Sequence, residues 1–439
     1  MLEPVKIGLL GLGTVGGGVV NVLTRNANEL TRRAGRSIQV THASVRDLNK
    51  PRLCNTDDII LTETPMDIVN NPDIDIVVEL IGGTTRAYEL VMKAIKQGKH
   101  VITANKALIA LHGDKIFANA QSIGVNVAFE AAVAGGIPII KAIREGLSGN
   151  QINWLAGIIN GTSNFILTEM QQKGRNFADV LLEAQKLGYA EADPTFDIEG
   201  IDAAHKLTIL ASIAFGIPLQ FEKIYTEGIT HIHANDVKYA DDFGYNIKHL
   251  GIAKQTNKGV ELRVHPTLIP KKCLIANVHG VMNAVLVDGD AVGATLYYGA
   301  GAGSDPTASA VVSDLIDMVR TLTVDPENRV PHLAFQPDAI ASHTPILSMP
   351  AIETAYYLRI HALDESGVLA QVANILSHEG INIEAINQHE PQADEKEVDI
   401  VILTHKVTEI YMDKALNTIE SLPSIIGEVT RIRLETLDS

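Results

Sequence analysis

The chain has 439 residues, 46% of them apolar, enough to bury a large core and to divide into two or three domains. Its 36 basic residues against 52 acidic ones leave a net charge of −16, a field that repels polyanions and argues against a nucleic-acid partner. No apolar run reaches the roughly 18–20 residues of a membrane span, and Cys54 and Cys273, far apart and outside any C-x-x-C, give no disulfide framework or thiolate metal site.

The N-terminal stretch "MLEPVKIGLLGLG" carries an acid and lacks a cationic segment and a cleavage site, so no export and a cytoplasmic location are expected. Within it, "VKIGLL" (5–10) reads as a buried strand running into "GLGTVG" and a helix from about Thr14. That order suits a dinucleotide. Gly11 allows a tight turn, Gly13 lets the backbone approach a pyrophosphate, and Gly16 permits close helix–strand packing, with Thr14 and Val15 at the helix N-terminus that faces the phosphates.

Strands near 38–45, 75–81, 99–103 and 125–129, spaced by helices such as 85–97, predict a doubly wound parallel sheet of the Rossmann type. After the second strand, "SVRDLNK" offers Arg46 to a 2′-phosphate and Asp47 to a ribose hydroxyl, leaving both NADP and NAD open. "IGGTTRAYE" puts Thr84 at another strand end, as a ligand contact or as a helix N-cap. "TANKA" presents Lys106 at the same edge, where a lysine either orients a carbonyl or carboxylate beside a nicotinamide or simply lies exposed on a turn.

Beyond residue 136 the pattern changes and a second domain is expected. "NQINWLAGIINGTSNFILTEM" reads as a strand, a polar loop over 160–164 with Asn or Ser available as N-cap, and a helix. In "EADPTFDIEGIDAAHKLTIL" an apolar stripe at 203, 207, 210 and 214 marks a core helix, and Asp202 and Lys206 stand four apart beside it. Such a pair is either an ordinary surface contact or, given Glu191, Asp193 and Asp197 crowding the helix start, a lysine poised as proton donor to a carbonyl oxygen. A hairpin through "TNKG" follows, then two strands and a helix entered by "GAGAGSDPT", where Ser304 or Asp305 is the expected cap. His231 and His233 form the tightest histidine pair, and no zinc-ligand spacing is present. Five prolines between 321 and 352 mark a connector, after which strands and helices in the order βαββαβ predict a ferredoxin-like module.

Taken together, "GLGTVG", "TANKA", "EAAVAGGIPII", "NGTSN", "GYAEADPTFDIEGIDAAHKL" and "GAGAGSDPT", in that order, make the chain resemble monofunctional bacterial-type homoserine dehydrogenases with a C-terminal ACT domain. The resemblance implies an α/β protein with a Rossmann-type nucleotide domain over 1–135, an α+β catalytic and dimerisation domain over 136–320, a Pro-rich linker over 321–352 and a ferredoxin-like ACT domain over 353–439. It implies NAD(P)H-dependent, reversible reduction of L-aspartate 4-semialdehyde to L-homoserine, on the route to threonine, methionine and isoleucine.

By the same resemblance Lys206 is the acid/base, Asp202 steers it, and Lys106 contacts both substrate and cofactor. Glu191 and Asp197 hold the substrate, and Gly11, Gly13, Thr14, Val15, Gly16, Arg46, Thr84, Lys106 and Gly303 hold NADP or NAD. Glu130, Val133, Gly135 and Ile137 match a site for Na⁺ or K⁺, an oxygen-only set suited to a hard cation. "DESGVLAQVANILSHEGINIEAI" implies an amino-acid effector, threonine by family habit, and the assembly implied is a homodimer or homotetramer. Since no aspartate kinase segment precedes residue 1, only the dehydrogenase step is expected. A non-catalytic nucleotide sensor is one rival reading, which leaves Glu191, Asp197, Asp202 and Lys206 without a role; another amino-acid or semialdehyde reductase is a second, which keeps Asp202 and Lys206 but gives Glu191 no reason to exist.

Overall fold

The computed structural model describes residues 3–388 and 396–437. Its first elements are β1 (Val5–Leu10), α1 (Thr14–Arg25), α2 (Ala27–Ala34), β2 (Ile38–Ser44), β3 (Ile60–Thr62), α3 (Pro65–Asn70), β4 (Ile76–Glu79), α4 (Thr85–Lys96), β5 (His100–Thr103), α5 (Lys106–Ile123) and β6 (Val127–Ala128). The expected parallel sheet is present, ordered β3-β2-β1-β4-β5-β6. Every strand pair in it is parallel, and Val5, Ile7, Leu9, Ile76, Val78 and Ile102 are buried, as a sheet covered on both faces requires. The strand order reverses between β1 and β4, the switch point where such sheets bind ligands. Sequence patterning missed β3, α2 and α3, which are short and only partly buried, and the strand expected over 125–129 shrinks to β6.

The chain continues through α6 (Ile139–Lys141), β7 (Ile152–Ile158), α7 (Gly161–Lys173), α8 (Phe177–Lys186), α9 (Thr195–Ile198), α10 (Ile201–Phe215), β8 (Tyr225–Thr226), α11 (Ala234–Asp242), β9 (Tyr245–Thr256), β10 (Gly259–Pro270), β11 (Met282–Gly289), β12 (Gly293–Ala300) and α12 (Ser304–Thr321). The polar stretch 160–164, expected as a loop, is instead the first turn of α7, because the Asn160 side chain accepts the Ser163 amide at 2.8 Å and closes the helix end. Neither Ser304 nor Asp305 caps α12. Gly303 occupies the cap position, the Ser304 hydroxyl donates to the Thr14 carbonyl at 2.9 Å, and Asp305 pairs with Arg25 at 2.9 Å. The tail comprises β13 (Glu353–Leu363), α13 (Val368–His378), β14 (Ile383–Gln388), β15 (Glu397–Thr404), β16 (Val407–Thr408), α14 (Glu409–Glu420) and β17 (Thr430–Leu434). The strand expected over 382–389 is β14, and residue 389 lies outside the described residues.

The chain forms two compact units, each assembled from separated segments. The first contains residues 1–153, 205–222 and 283–344. In it α12 lies along α1, with Val311, Leu315 and Met318 joining Val19, Val20 and Leu23 in one apolar cluster. The approach is so close that a Cβ on Gly18 would stand 2.6 Å from the Ser304 hydroxyl. The proline-rich connector is not a loose tether here: Arg329 donates to the Gly124 carbonyl at 2.9 Å, the Val127 amide donates to His332 Nε2 at 3.2 Å, and the Ala341 amide donates to Gly216 at 2.7 Å.

The second unit contains residues 154–204, 223–282 and 345–439. One sheet runs through it in the order β7-β9-β10-β17-β13-β15-β14, so the last strand of the ferredoxin-like module pairs in parallel with β10, Leu434 beside Leu268. Within the module the order β17-β13-β15-β14 is the antiparallel arrangement expected of βαββαβ. The module therefore shares a sheet with the hairpin of β9 and β10.

Candidate active site

At the end of β1 the chain turns through Gly11 with φ +103, a conformation that side-chain-bearing residues avoid. A Cβ on Gly16 would lie 2.3 Å from the Gly11 carbonyl oxygen, so only glycine lets α1 start this close to the strand. Gly13 is exposed, caps α1 without a side chain, and has no neighbour within 4 Å of where a Cβ would stand. Thr14 and Val15 complete this first turn. The result is an open helix N-terminus with backbone amides facing outward, a cradle that fits a pyrophosphate.

The neighbouring strand ends are shaped by residues that patterning did not single out. Glu79, fully buried at the end of β4, accepts the amides of Ile81 and Gly82 at 2.9 and 3.0 Å and the Thr103 hydroxyl at 2.6 Å. Asn105 caps α5 by accepting the Leu108 amide at 3.1 Å and donates to the Gly83 carbonyl at 2.6 Å. These bonds set the loop carrying Thr84 beside the first turn of α5, where Lys106 is the first helical residue. Thr84 sits at the cap position of α4 but its side chain makes no cap bond. Arg46 is exposed just beyond β2, while the Asp47 carboxylate accepts the Asn49 amide at 2.8 Å in a local turn.

Glu130 is 2% exposed and accepts the amides of Ile140 and Lys141, both at 2.9 Å. Burial and the charge of Asp314 push its carboxyl up to about 7, and burial pushes Asp314 up to about 6. The turn carrying Val133, Gly135 and Ile137 packs against the "GAGAGSDPT" segment, since a Cβ on Gly135 would meet the Gly301 carbonyl at 2.9 Å and the Gly136 amide donates to Ala300 at 2.9 Å. Two stretches far apart in sequence thus form one structure, with Gly303 exposed at its end.

In the second unit two of the predicted carboxylates converge. The Asn160 amide nitrogen donates to Asp197 at 2.8 Å and to Asp202 at 2.9 Å. Thr162 donates to Asp197 at 3.3 Å and to the Tyr189 carbonyl at 2.6 Å, and Ser163 donates to the Asp197 carbonyl at 3.1 Å. Asp202 is 4% exposed and Lys206 stands one turn later on α10, half-buried. Glu191 is exposed, its backbone held by Gln185, and Asp193 closes a local turn, accepting the Thr195 amide at 3.1 Å and hydroxyl at 2.6 Å. The motif "NGTSN" was the only signal for Asn160, Thr162 and Ser163; it reads as a polar loop with a possible N-cap and as one of the motifs behind the family resemblance, with no link to these acids.

Family models described as "Homoserine dehydrogenase", "Homoserine dehydrogenase, NAD binding domain" and "ACT domain" match residues 138–316, 11–130 and 356–424. A homoserine dehydrogenase of Pseudomonas aeruginosa is 65% identical over the full length of both chains. The chain belongs to the homoserine dehydrogenase family. It is an NAD(P)-dependent oxidoreductase with an ACT domain. The crystal structure of a homoserine dehydrogenase from Thiobacillus denitrificans superposes with a TM-score of 0.94 at 62% identity, covering 99% of each chain. A hyperthermophilic archaeal homoserine dehydrogenase in complex with NADPH matches 72% of this chain and 98% of its own, at 27% identity and a TM-score of 0.62.

For a homoserine dehydrogenase, the first unit also holds a cavity that no predicted site residue lines. It measures about 750 Å³ and is bordered by Asp114, Phe117, Arg329 and His332. Arg329 there already donates to the Gly124 and Val324 carbonyls. Among the described residues no group of three or more His, Cys, Asp or Glu side chains gathers to hold a metal, and no helix is long and apolar enough to cross a membrane.

Proposed function

We propose that this chain interconverts L-homoserine and L-aspartate 4-semialdehyde, with NADP(H) as the preferred coenzyme. What carries the reading is the convergence of Asp197 and Asp202 on Asn160, one turn ahead of Lys206. The Asn160 side-chain amide donates to both carboxylates and fixes their direction. This acidic pocket suits a substrate ammonium, with Glu191 reaching it from the exposed loop.

In the oxidation direction Lys206 Nζ takes the proton of the substrate hydroxyl, and in reduction it returns that proton to the new alkoxide. Asp202 holds Lys206 in place for this transfer, and Lys106 contacts substrate and nicotinamide. The nicotinamide, when bound, supplies or accepts the hydride. Gly11, Gly13, Thr14, Val15 and Gly16 hold its pyrophosphate, with Thr84 and Gly303 on either side. NADP is favoured because Arg46 is exposed while Asp47 is committed to its own turn.

Glu130, with Val133, Gly135 and Ile137, forms the site for Na⁺ or K⁺; the buried, incompletely compensated carboxylate fits a hard monovalent cation. Residues 1–135 serve the nucleotide, 136–320 catalysis and dimerisation, and 353–439 an amino-acid effector, threonine, with 321–352 as connector. A homodimer or homotetramer in the cytoplasm completes the reading, with both cysteines free as a reducing compartment allows.

Purified protein incubated with L-homoserine and NADP⁺ or NAD⁺, with and without L-threonine, tests this directly. Homoserine-dependent reduction, faster with NADP⁺ and slowed by threonine, is expected. Lys206→Ala should lose about 100-fold or more in kcat while nucleotide affinity is kept. Folded protein that binds nucleotide but shows no homoserine-dependent turnover would overturn the reading in favour of a sensor.

A further inference from the structure

Arg433 lies on β17, the final strand of the ACT module, and is completely buried. Its guanidinium donates to Glu227 at 2.6 Å, to Glu409 at 3.0 Å through Nε and again through a second nitrogen, and to the Tyr225 hydroxyl at 3.2 Å, and it stacks 4.9 Å from the Tyr225 ring. Glu409, 2% exposed at the start of α14, also accepts the Tyr356 hydroxyl at 2.9 Å. All of these groups belong to the second unit, and the ACT module contributes Arg433, Glu409 and Tyr356.

Glu227 is the outward end of this cluster. Its amide donates to Val264 at 2.8 Å, its carbonyl meets His249 Nε2 at 2.9 Å, and its carboxylate takes the Tyr225 hydroxyl at 2.7 Å and faces His231 at 3.3 Å. Burial pushes that carboxyl up, but the His231 bond and the Arg433 charge outweigh burial and hold it well below the usual range. It therefore stays ionised beside Arg433.

The residues that follow Glu227 lie directly on the loop bearing the proposed substrate carboxylate. A Cβ on Gly228 would stand 2.4 Å from the Glu199 carboxylate and 2.6 Å from the Ile198 carbonyl, the Ile229 amide donates to the Ile198 carbonyl at 2.9 Å, and Thr230 donates to Glu199 at 3.3 Å. Ile198 is bonded to Asp197. On the other side, a Cβ on Gly200 would meet His249 at 3.0 Å and Thr226 at 3.1 Å. A shift of β17 that moved the Arg433 fork would move Glu227, and with it the surface against which Asp197 and the start of α10 are set.

We propose that Arg433 is a positioning residue for the substrate carboxylate Asp197, acting through Glu227, and that this ion pair carries the state of the ACT module to substrate binding. The proposal rests on Asp197 holding the substrate ammonium. Its chemistry is specific to a fork: a bidentate guanidinium fixes two carboxylates at once, whereas a lysine ammonium in its place keeps the charge and loses the geometry.

Two variants test it, Glu227→Gln, which keeps the shape and removes the charge, and Arg433→Lys. Both should raise KM for L-homoserine roughly fivefold or more, the scale of an ordinary coupling between sites. KM for NADP⁺ should stay within about twofold, kcat should fall less than KM rises, and the threonine concentration for half inhibition should shift. Amide exchange, which needs no turnover, should quicken over residues 197–202 in both variants while α13 keeps its protection. Unchanged exchange over 197–202 in Glu227→Gln, or KM values for both substrates unchanged while Tm falls, would reduce Arg433 to a structural role and overturn the proposal. Absence of homoserine turnover in the unaltered protein would instead fall on the functional reading, leaving the exchange measurement to decide the coupling.

Discussion

Two glycines of the "GLGTVG" turn do different physical work, and substitution separates them. At Gly16 an added methyl group collides with the Gly11 carbonyl oxygen at 2.3 Å, a backbone atom that cannot step aside without moving β1 or α1. Gly16→Ala is therefore expected to cost about 1–3 kcal/mol in stability as well as nucleotide affinity. At Gly13 nothing lies within 4 Å, so Gly13→Ala should leave Tm nearly unchanged and weaken nucleotide binding alone, because the methyl group occupies the space through which a pyrophosphate approaches the backbone. Thermal melts alongside nucleotide titration distinguish the two, and equal losses of stability at both positions would contradict this division. The spacing of the motif was legible in the sequence, but the division of labour within it was not, since it depends on which carbonyl stands opposite each Cα.

Helix α7 joins local capping to the acidic cluster through one side chain. Asn160 caps the helix with its oxygen and binds Asp197 and Asp202 with its nitrogen. Asn160→Ala should lose about 1 kcal/mol from the cap and roughly 1–3 kcal/mol more from leaving the buried Asp202 short of a donor. Asn160→Asp keeps an equally good cap but sets a third carboxylate against the other two. It should therefore be destabilised at pH 7 and partly recover when the pH is lowered enough to protonate one of the three. Denaturation of both variants at two pH values checks this, and an Asp variant as stable as the parent at pH 7 would show that the carboxylates do not crowd. Patterning found the helix and offered Asn160 as its cap, but two acids 37 and 42 positions away cannot be seen from the helix itself.

Each compact unit is built from segments far apart in the chain, so its stability depends on joints that close long loops. In the first unit two histidines serve as such joints. The Asn126 amide donates to His100 Nδ1 at 2.9 Å and the Val127 amide to His332 Nε2 at 3.2 Å, and His332 also stacks on Phe117. Burial, with nearby arginine charge, lowers both imidazoles to about 4. The unfolded chain takes up these protons near pH 6.5 and the folded chain only near pH 4, so this contribution is full above pH 6.5 and is lost as the pH falls through that window. Between pH 7 and pH 5 the expected loss is roughly 1–2 kcal/mol for each histidine. Chemical denaturation at pH 7, 6 and 5 measures it, and His332→Gln, which keeps an acceptor but does not titrate, should flatten part of the slope. An identical slope in that variant would exclude His332 as a source.

The sequence by itself determined the elements that chemistry or strong periodicity imposes: the glycine turn after a buried strand, the alternation that makes a parallel sheet, the core helix beginning at Ile201, and the βαββαβ order of the tail. These are legible because turn geometry and apolar spacing act over a few residues. Only the tertiary structure decided which acids of 191–202 meet, that the ACT module continues the sheet of β9 and β10, and that the proline-rich segment is bound rather than loose. It also decided that Gly303, not Ser304 or Asp305, caps α12, because the Ser304 hydroxyl is drawn away to the Thr14 carbonyl. Each of these outcomes depends on hydrogen bonds between residues tens to hundreds of positions apart, and the pattern of a single short segment carries no record of the partner that will stand opposite it.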